Sequence, residues 1–264
     1  IPSDIASTAH ASDFVFNTTH DKLGCWTTAY SRKFYEDNGF FLKKGGLEIC
    51  RKGDDARWEE LKRKVGSGKA FGTNVRLISA SETKEKFPLI DEDSIMGSMW
   101  DPDAGLVIPR SQDVVSFAVE KAKEQGALKT FTDTPAIDFE IEDGRVVGVK
   151  TDKGIIKSGK VVIASGIWGP LMGKKAGVPV PLMPLEHPLL FFGPLPEAQG
   201  SQEFLVYPLM RDQGNSAYVR DTGRLHGGML EWGFYEDKEP RLVDPEDIGN
   251  PEKTMGSDSM RYLD

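Results

Sequence analysis

Apolar residues recur every three to four positions between Lys22 and Asn38, at Leu23, Trp26, Tyr30 and Phe34. That spacing predicts an amphipathic helix, stopped by Gly39. Gly45-Gly46 opens the short alternating run Leu47 to Cys50, which reads as a strand, and Asp54 to Val65 reads as a charged surface helix. Ser81 ahead of Lys84-Glu85 marks a short helix that must end before Pro88, because a residue preceding proline is driven out of helical dihedrals. Ser111-Gln112 in front of Val114, Val115, Phe117, Ala118 and Ala122, with Gly126 behind, predicts a capped helix from about Gln112 to Gln125. Alternation over Ala136 to Ile141, Arg145 to Thr151 and Gly154 to Ile156, broken by Asp143-Gly144 and Lys153-Gly154, predicts a three-stranded meander. The run Val161 to Ala164 is apolar on both faces and reads as a central buried strand ended by Ser165-Gly166. Beyond Gly177, Leu189 to Phe192, Phe204 to Tyr207 and Ser216 to Arg220 are candidate strands of a separate layer. The stretch Glu239 to Asp264 is polar and without a period, so loose packing is expected there.

Composition narrows the function classes. With 264 residues, 39% hydrophobic and 28% charged, the chain can bury the core of one large domain or two ordinary ones. A formal charge of -8 argues against nucleic-acid binding, which needs clustered excess Lys and Arg. No apolar run approaches the roughly 20 residues that span a bilayer, so no membrane span is expected. Cys25 and Cys50 lack CxxC spacing, giving neither a disulfide framework nor a metal site. They fit a reducing compartment, the cytoplasm or alternatively the mitochondrial matrix. The chain opens on Ile1 without a charged-then-apolar leader, so targeting information is expected to be absent or to precede it. Hydrolase and zinc chemistry fail on spacing: there is no Gly-x-Ser-x-Gly, and the four histidines never pair at ligand intervals.

Five stretches in order carry a resemblance: Ser7-Thr8-Ala9-His10-Ala11, Gly45-Gly46-Leu47-Glu48, Phe87 to Asp91, Val161 to Gly169, and Pro184-Leu185-Glu186-His187. Together they resemble the glycine-oxidase and dimethylglycine-oxidase family of flavoproteins, from about Ala6 to Tyr235. In that family a Gly-x-Gly-x-x-Gly turn holds the dinucleotide pyrophosphate at a helix N-terminus, and no such fingerprint occurs here. Both ends of the family fold are therefore expected to lie outside this chain.

The resemblance implies a set of site residues, each with a plainer alternative. His10 matches a histidine that the family links covalently to its FAD, with Ser7, Thr8 and Ala11 as small neighbours that permit close approach. The plainer alternative is an exposed loop histidine, and two departures bear on it: the family's glycine is Ala6 here, and Ser12-Asp13 follow Ala11. Ala164, Gly166 and Trp168 match a segment passing beside the cofactor, and Pro135 and Ala136 one near its adenine. His187 matches a histidine facing the amine substrate, where an imidazole can tune substrate protonation; the alternative is a histidine satisfied within a sheet. Tyr218 matches a substrate-facing tyrosine, although an aromatic in an alternating strand is more often core. Arg220 could meet a carboxylate, but an edge-strand Arg is usually a solvated ion-pair partner. His20 and His226 match nothing and are assigned to surface.

The expected architecture is α/β: a partial FAD-binding Rossmann-like domain over 1–38 and 107–178, interleaved with an antiparallel-sheet substrate domain over 39–106 and 179–264. The resemblance implies FAD-dependent oxidation of an N-methylated amino acid such as dimethylglycine or sarcosine, by hydride transfer from the carbon beside nitrogen. A small amine is then the substrate, with an electron carrier or folate as further partners. This chain by itself is expected to be inactive and to carry little flavin. The alternative is a non-catalytic regulatory or scaffold subunit on the same fold.

Overall fold

The computed structural model describes residues 7–235 and 241–247. The chain begins β1 (Phe14–Val15), α1 (Lys22–Asp37), β2 (Phe41–Lys43), β3 (Gly46–Arg51), α2 (Asp55–Ala70), β4 (Arg76–Ser79), α3 (Ala80–Lys86), β5 (Ile95–Asp101), β6 (Gly105–Val107) and α4 (Ser111–Glu124). It continues through β7 (Ala136–Glu142), β8 (Arg145–Thr151), β9 (Gly154–Lys157), α5 (Gly169–Ala176), β10 (Leu185–Glu186), β11 (Leu189–Phe192), β12 (Leu209–Asp212), β13 (Ala217–Asp221), β14 (Leu230–Phe234) and β15 (Arg241–Leu242). Two units alternate along this order, and of the described residues the larger holds 11–114 and 187–235 while the smaller holds 7–10, 115–186 and 241–247. The architecture is mixed α/β, as the sequence predicts.

The larger unit is built on a seven-stranded sheet of order β11-β14-β13-β12-β3-β5-β4. All its neighbours are antiparallel except β12 and β3. Direct cross-strand partners share a face of a pleated sheet, so the register sorts the side chains. Leu47, Met210, Val219 and Trp232 lie on one face. There Leu47, Met210 and Val219 join Ile49, Ile78, Phe87 and Ile90 in a closed core, each aliphatic contributing about 1.5–3 kcal/mol by leaving water. Glu48, Arg211, Tyr218 and Gly233 line up across the other face. Part of that face is covered by α2, whose Leu61 and Val65 pack on Cys50, Val75 and Met99. A second sheet, β1-β6-β2, joins a core of Phe16, Ala104, Leu106, Leu205 and Leu209.

Several elements differ from expectation for identifiable reasons. Helix α1 has the predicted span, and Asp21 caps it by accepting from the Gly24 amide at 2.8 Å. Its apolar stripe is nevertheless exposed, with Leu23, Trp26 and Tyr30 at 68%, 60% and 69%, and only Cys25 buried. Periodicity reports a face suited to burial, not the presence of something to bury it against. Helix α2 runs on past Val65 to Ala70, and at Gly68 it lies close against Thr73 and Val75, where a Cβ would come within 2.5 Å of the Thr73 hydroxyl. Helix α3 is capped by Ser79, whose hydroxyl accepts from the Glu82 amide at 3.1 Å, and not by Ser81. The amide of Ser111 at the start of α4 donates at 3.1 Å to Asp13, a carboxylate 98 residues away that also pairs with Arg110 at 3.0 Å. Phe204 to Tyr207 is not a strand: the amides of Val206 and Tyr207 donate to the Asp221 carboxylate, at 2.8 Å each, instead of to a ladder.

In the smaller unit β7, β8 and β9 form the expected meander. Val161 to Ala164 is not a strand, and Val162 is 87% exposed. A strand exists only with a hydrogen-bonded neighbour, and no described strand pairs with this run. The polar tail from Glu239 lies largely outside the described residues, apart from β15, which pairs antiparallel with β10.

Candidate functional site

Tyr218 on β13 faces Gly233 on β14. A Cβ at position 233 would lie 2.0 Å from the tyrosine Cζ and 2.2 Å from its hydroxyl, so the glycine is what lets the phenol lie flat across the neighbouring strand. Phe14 meets the ring edge-on at 5.5 Å and 74°, and Tyr235 approaches it at 6.0 Å. Tyr235 in turn meets the His187 ring edge-on at 4.5 Å and 78°. The two histidine and tyrosine positions singled out in the sequence thus flank one aromatic residue, Tyr235. A cleft of about 270 Å³ opens here, lined by Ser12, Phe14, Arg211, Ser216, Tyr218 and Tyr235. His187 stands one ring outside that lining and is exposed.

Electrostatics fixes the state of the lining. Burial pushes the Tyr218 phenol up to about 12, with the neighbouring Tyr235 and Glu231 acting in the same direction and Arg220 against it. At neutral pH Tyr218 is a neutral hydrogen-bond donor. The Arg211 guanidinium lies 4.1 Å from the Phe16 ring centre, and burial lowers its pKa while Glu48, Tyr235 and Asp101 oppose that. An arginine so displaced still carries its charge.

Arg220 is not the exposed edge residue that the sequence suggested. It sits on a central strand, 1% exposed, and its Nη2 donates to Glu231 Oε2 at 2.5 Å directly across the ladder. It does not line the cleft, although its Nε and Nη1 are buried without hydrogen-bond partners. Sequence reasoning missed Tyr235 and Arg211. Arg211 belongs to β12, a strand passed over in favour of Phe204 to Tyr207, so its alternation was never used. Tyr235 follows directly on β14, whose alternation was not read as a strand either.

The expected cofactor residues fall mostly in the smaller unit. Ser7, Thr8 and His10 form an exposed 3-10 turn, which leaves the loop-histidine alternative open. Ala11, the first residue of the larger unit, accepts through its carbonyl from Arg110 Nη2 at 3.1 Å. Pro135 and Ala136 are exposed at the start of β7, Ala164 and Gly166 are exposed, and Trp168 is half-buried at the N-terminus of α5. The hydroxyl of Ser165 is buried without a hydrogen-bond partner, and Gly166 has φ 54° with open space where a Cβ would be. A waiting hydroxyl and open backbone fit the edge of a dinucleotide. His20 pairs with Glu60 at 3.1 Å and His226 lies 5.3 Å from Phe191, neither in the cleft lining. Among the described residues no cluster of ligands could hold a metal ion, and no helix is long and apolar enough to cross a membrane.

Residues 15–255 match the family described as FAD dependent oxidoreductase. Sarcosine dehydrogenase, mitochondrial, from Homo sapiens is 31% identical over 219 residues, which cover 78% of this chain and 22% of that protein. A pyruvate dehydrogenase phosphatase regulatory subunit, mitochondrial, from Mus musculus is 26% identical over 243 residues, covering 89% of this chain and 26% of that protein. The crystal structure of L-proline dehydrogenase from P. horikoshii superposes with a TM-score of 0.75 at 27% identity, over 90% of this chain and 61% of that one. The chain thus spans about a quarter or less of the length of these curated relatives.

Proposed function

The chain belongs to the FAD-dependent oxidoreductase family, and from that premise we propose that the protein it forms oxidises an N-methylated amino acid of the sarcosine or dimethylglycine type. The observation that carries this reading is the cleft in which Tyr218 and Tyr235 stand side by side, with His187 against Tyr235. The proposal also takes 1–38 and 107–178 as the part serving the cofactor and 39–106 and 179–264 as the part serving the substrate.

When bound, FAD supplies a two-electron acceptor for the hydride leaving the carbon beside nitrogen, and the resulting imine hydrolyses to an aldehyde and the demethylated amine. The protein's residues prepare that event. An ammonium has no lone pair to assist hydride loss, so the substrate must first shed a proton, and a His187 ring nitrogen is the acceptor. Tyr218, kept neutral, donates its hydroxyl proton to a substrate oxygen and fixes the orientation of the reacting carbon. Phe14 and Tyr235 line the cleft with aromatic rings on either side of the Tyr218 phenol. The Ala164–Trp168 stretch and Pro135-Ala136 would hold the dinucleotide through backbone groups, and His10 would join it covalently. The names of the mitochondrial relatives weigh toward the matrix over the cytoplasm as its compartment.

The test uses the natural full-length protein. Sarcosine added without oxygen is expected to bleach a yellow protein and release formaldehyde. His187→Ala is expected to lower kcat/KM at pH 7 by about 10²–10⁴-fold and to shift the acid limb of its pH profile. A profile unchanged by that substitution would remove His187 from the proton step. A colourless full-length protein that binds a partner would favour the regulatory reading, which the match to a phosphatase regulatory subunit supports.

A further inference from the structure

Asp13 is held in a backbone conformation that a side chain ordinarily avoids. Its φ is 64°, in the left-handed region, and among the described non-glycine residues at positive φ it is the one that is buried. Such a conformation persists only where the surroundings over-determine it, and it clusters at functional sites. The surroundings here are specific. The Asp13 carboxylate, its side chain 1% exposed, meets Arg110 Nε at 3.0 Å and accepts from both the amide and the hydroxyl of Ser111. Its carbonyl accepts from the Val107 amide at 2.8 Å, and Arg110 Nη2 reaches back to donate to the Ala11 carbonyl at 3.1 Å. The chain around Asp13 is thereby tied to the segment that leads from β6 into α4. The residues on either side of it, Ser12 and Phe14, line the cleft, and Phe14 is the ring that meets Tyr218 edge-on at 5.5 Å. Asp13 itself is absent from that lining and is committed to Arg110 and Ser111.

We propose that Asp13 is a positioning residue: clamped to Arg110 and Ser111, it presets the cleft wall made by Ser12 and Phe14 and so fixes the orientation in which the substrate reacts. The inference rests on reading the cleft as amine-oxidising and adds to it the device that holds one wall in place. Glycine would take this φ freely and leave the wall mobile. Aspartate tolerates the left-handed region because its side chain is short and polar, and it brings a carboxylate that reaches a partner 97 positions along the chain. Desolvation offsets much of the attraction in such a pair, and what remains distinctive is the geometry it imposes. A wall that is fixed before substrate arrives spares the reaction the cost of ordering it, and a shift of about 1 Å in a positioning group can cost about 10²-fold in rate.

Asp13→Gly separates the backbone from the clamp, since glycine adopts φ 64° without strain and lacks the carboxylate. In the natural full-length protein, kcat/KM for sarcosine per bound flavin is expected to fall about 10–100-fold, chiefly in kcat. A residue that served stability alone would leave turnover per bound flavin unchanged. Arg110→Met is expected to reproduce the loss, and Asp13→Asn, which keeps an oxygen for the Ser111 amide and tolerates the same φ, to lie between parent and Asp13→Gly. A second readout does not depend on oxidation. The Tyr218 phenol, followed by ultraviolet titration against a Tyr218→Phe background, ionises at about 12 in the parent and is expected to ionise lower in Asp13→Gly, because a loosened Phe14 admits water to it. Where Asp13→Gly does not fold, Asp13→Asn and Arg110→Met carry both readouts. In a protein that oxidises sarcosine, parent-like turnover in Asp13→Gly, or a loss that Arg110→Met does not share, would overturn the proposal. In one that oxidises no amine, a lowered phenol would keep the clamp and refute the oxidase reading, while an unmoved phenol would refute both.

Discussion

Tyr218 keeps its place because position 233 has no side chain. In Gly233→Ala the new Cβ would lie 2.0 Å from the phenol Cζ, so the ring must swing away from β14. Overpacking of this kind costs about 1–3 kcal/mol, and calorimetry of the variant should show a correspondingly lower Tm. The phenol also makes a pH prediction. Its pKa rises from the ordinary 10.0 to about 12 in the folded chain, so the folded state holds the proton more tightly than the unfolded one. The contribution is complete below pH 10 and is lost as pH climbs from 10 to about 12. Tyr218→Phe should therefore flatten the fall in stability over that window in an alkaline unfolding series. An identical alkaline fall in the two proteins would place the titrating group elsewhere. Tyr218 was legible in the sequence from its place in an alternating strand and from the resemblance. Arg211 was not, since its place in the cleft lining follows from the pairing of β12 with β3 and β13 and not from any neighbour in sequence.

At the scale of elements, turns and helical periods were read more securely than caps and partners. The meander β7–β8–β9 and the helix α4 lie within a residue or two of expectation, because Asp-Gly-type turns and the apolar spacing act locally. What stabilises their ends can be remote, as in the capture of the Ser111 amide by Asp13. The pair Arg220–Glu231 is the clearest case of a long-range partner, both side chains almost wholly buried and both with further atoms unsatisfied. Arg220→Met alone should cost about 3–5 kcal/mol, because it strands a buried carboxylate. The double variant Arg220→Met/Glu231→Met should unfold close to the parent, as paired buried charges often do when replaced together by apolar groups of similar volume. A denaturant series on both proteins checks this, and a double variant as weak as the single would show that the pair contributes net stability.

At the scale of the whole molecule, the sequence carries the β12–β14 row that forms the cleft but no Gly-x-Gly-x-x-Gly turn for a pyrophosphate. Purified alone, this chain should show no flavin absorbance near stoichiometric level, since the diphosphate is where the helix N-terminus grips the dinucleotide. A visible band at one flavin per chain, or colour that survives denaturation, would show that the residues of this chain suffice to hold the cofactor. The exposed stripe of α1, with Leu23, Trp26 and Tyr30, belongs to the same scale: its helical period is local, while its cover is a question of tertiary neighbours.

The sequence by itself determined most of the helices and the meander, and with them the α/β class, because these follow from spacings of a few residues, while the resemblance carried by short ordered motifs singled out His187 and Tyr218. Only the tertiary structure decided that Tyr235 joins those two residues, that Arg220 is spent on Glu231, and that Arg211 lines the cleft. The physical reason is range. Dihedral preference and amphipathic period act within a turn or two of chain, whereas burial, ion pairing and register are settled between strands that lie far apart in sequence.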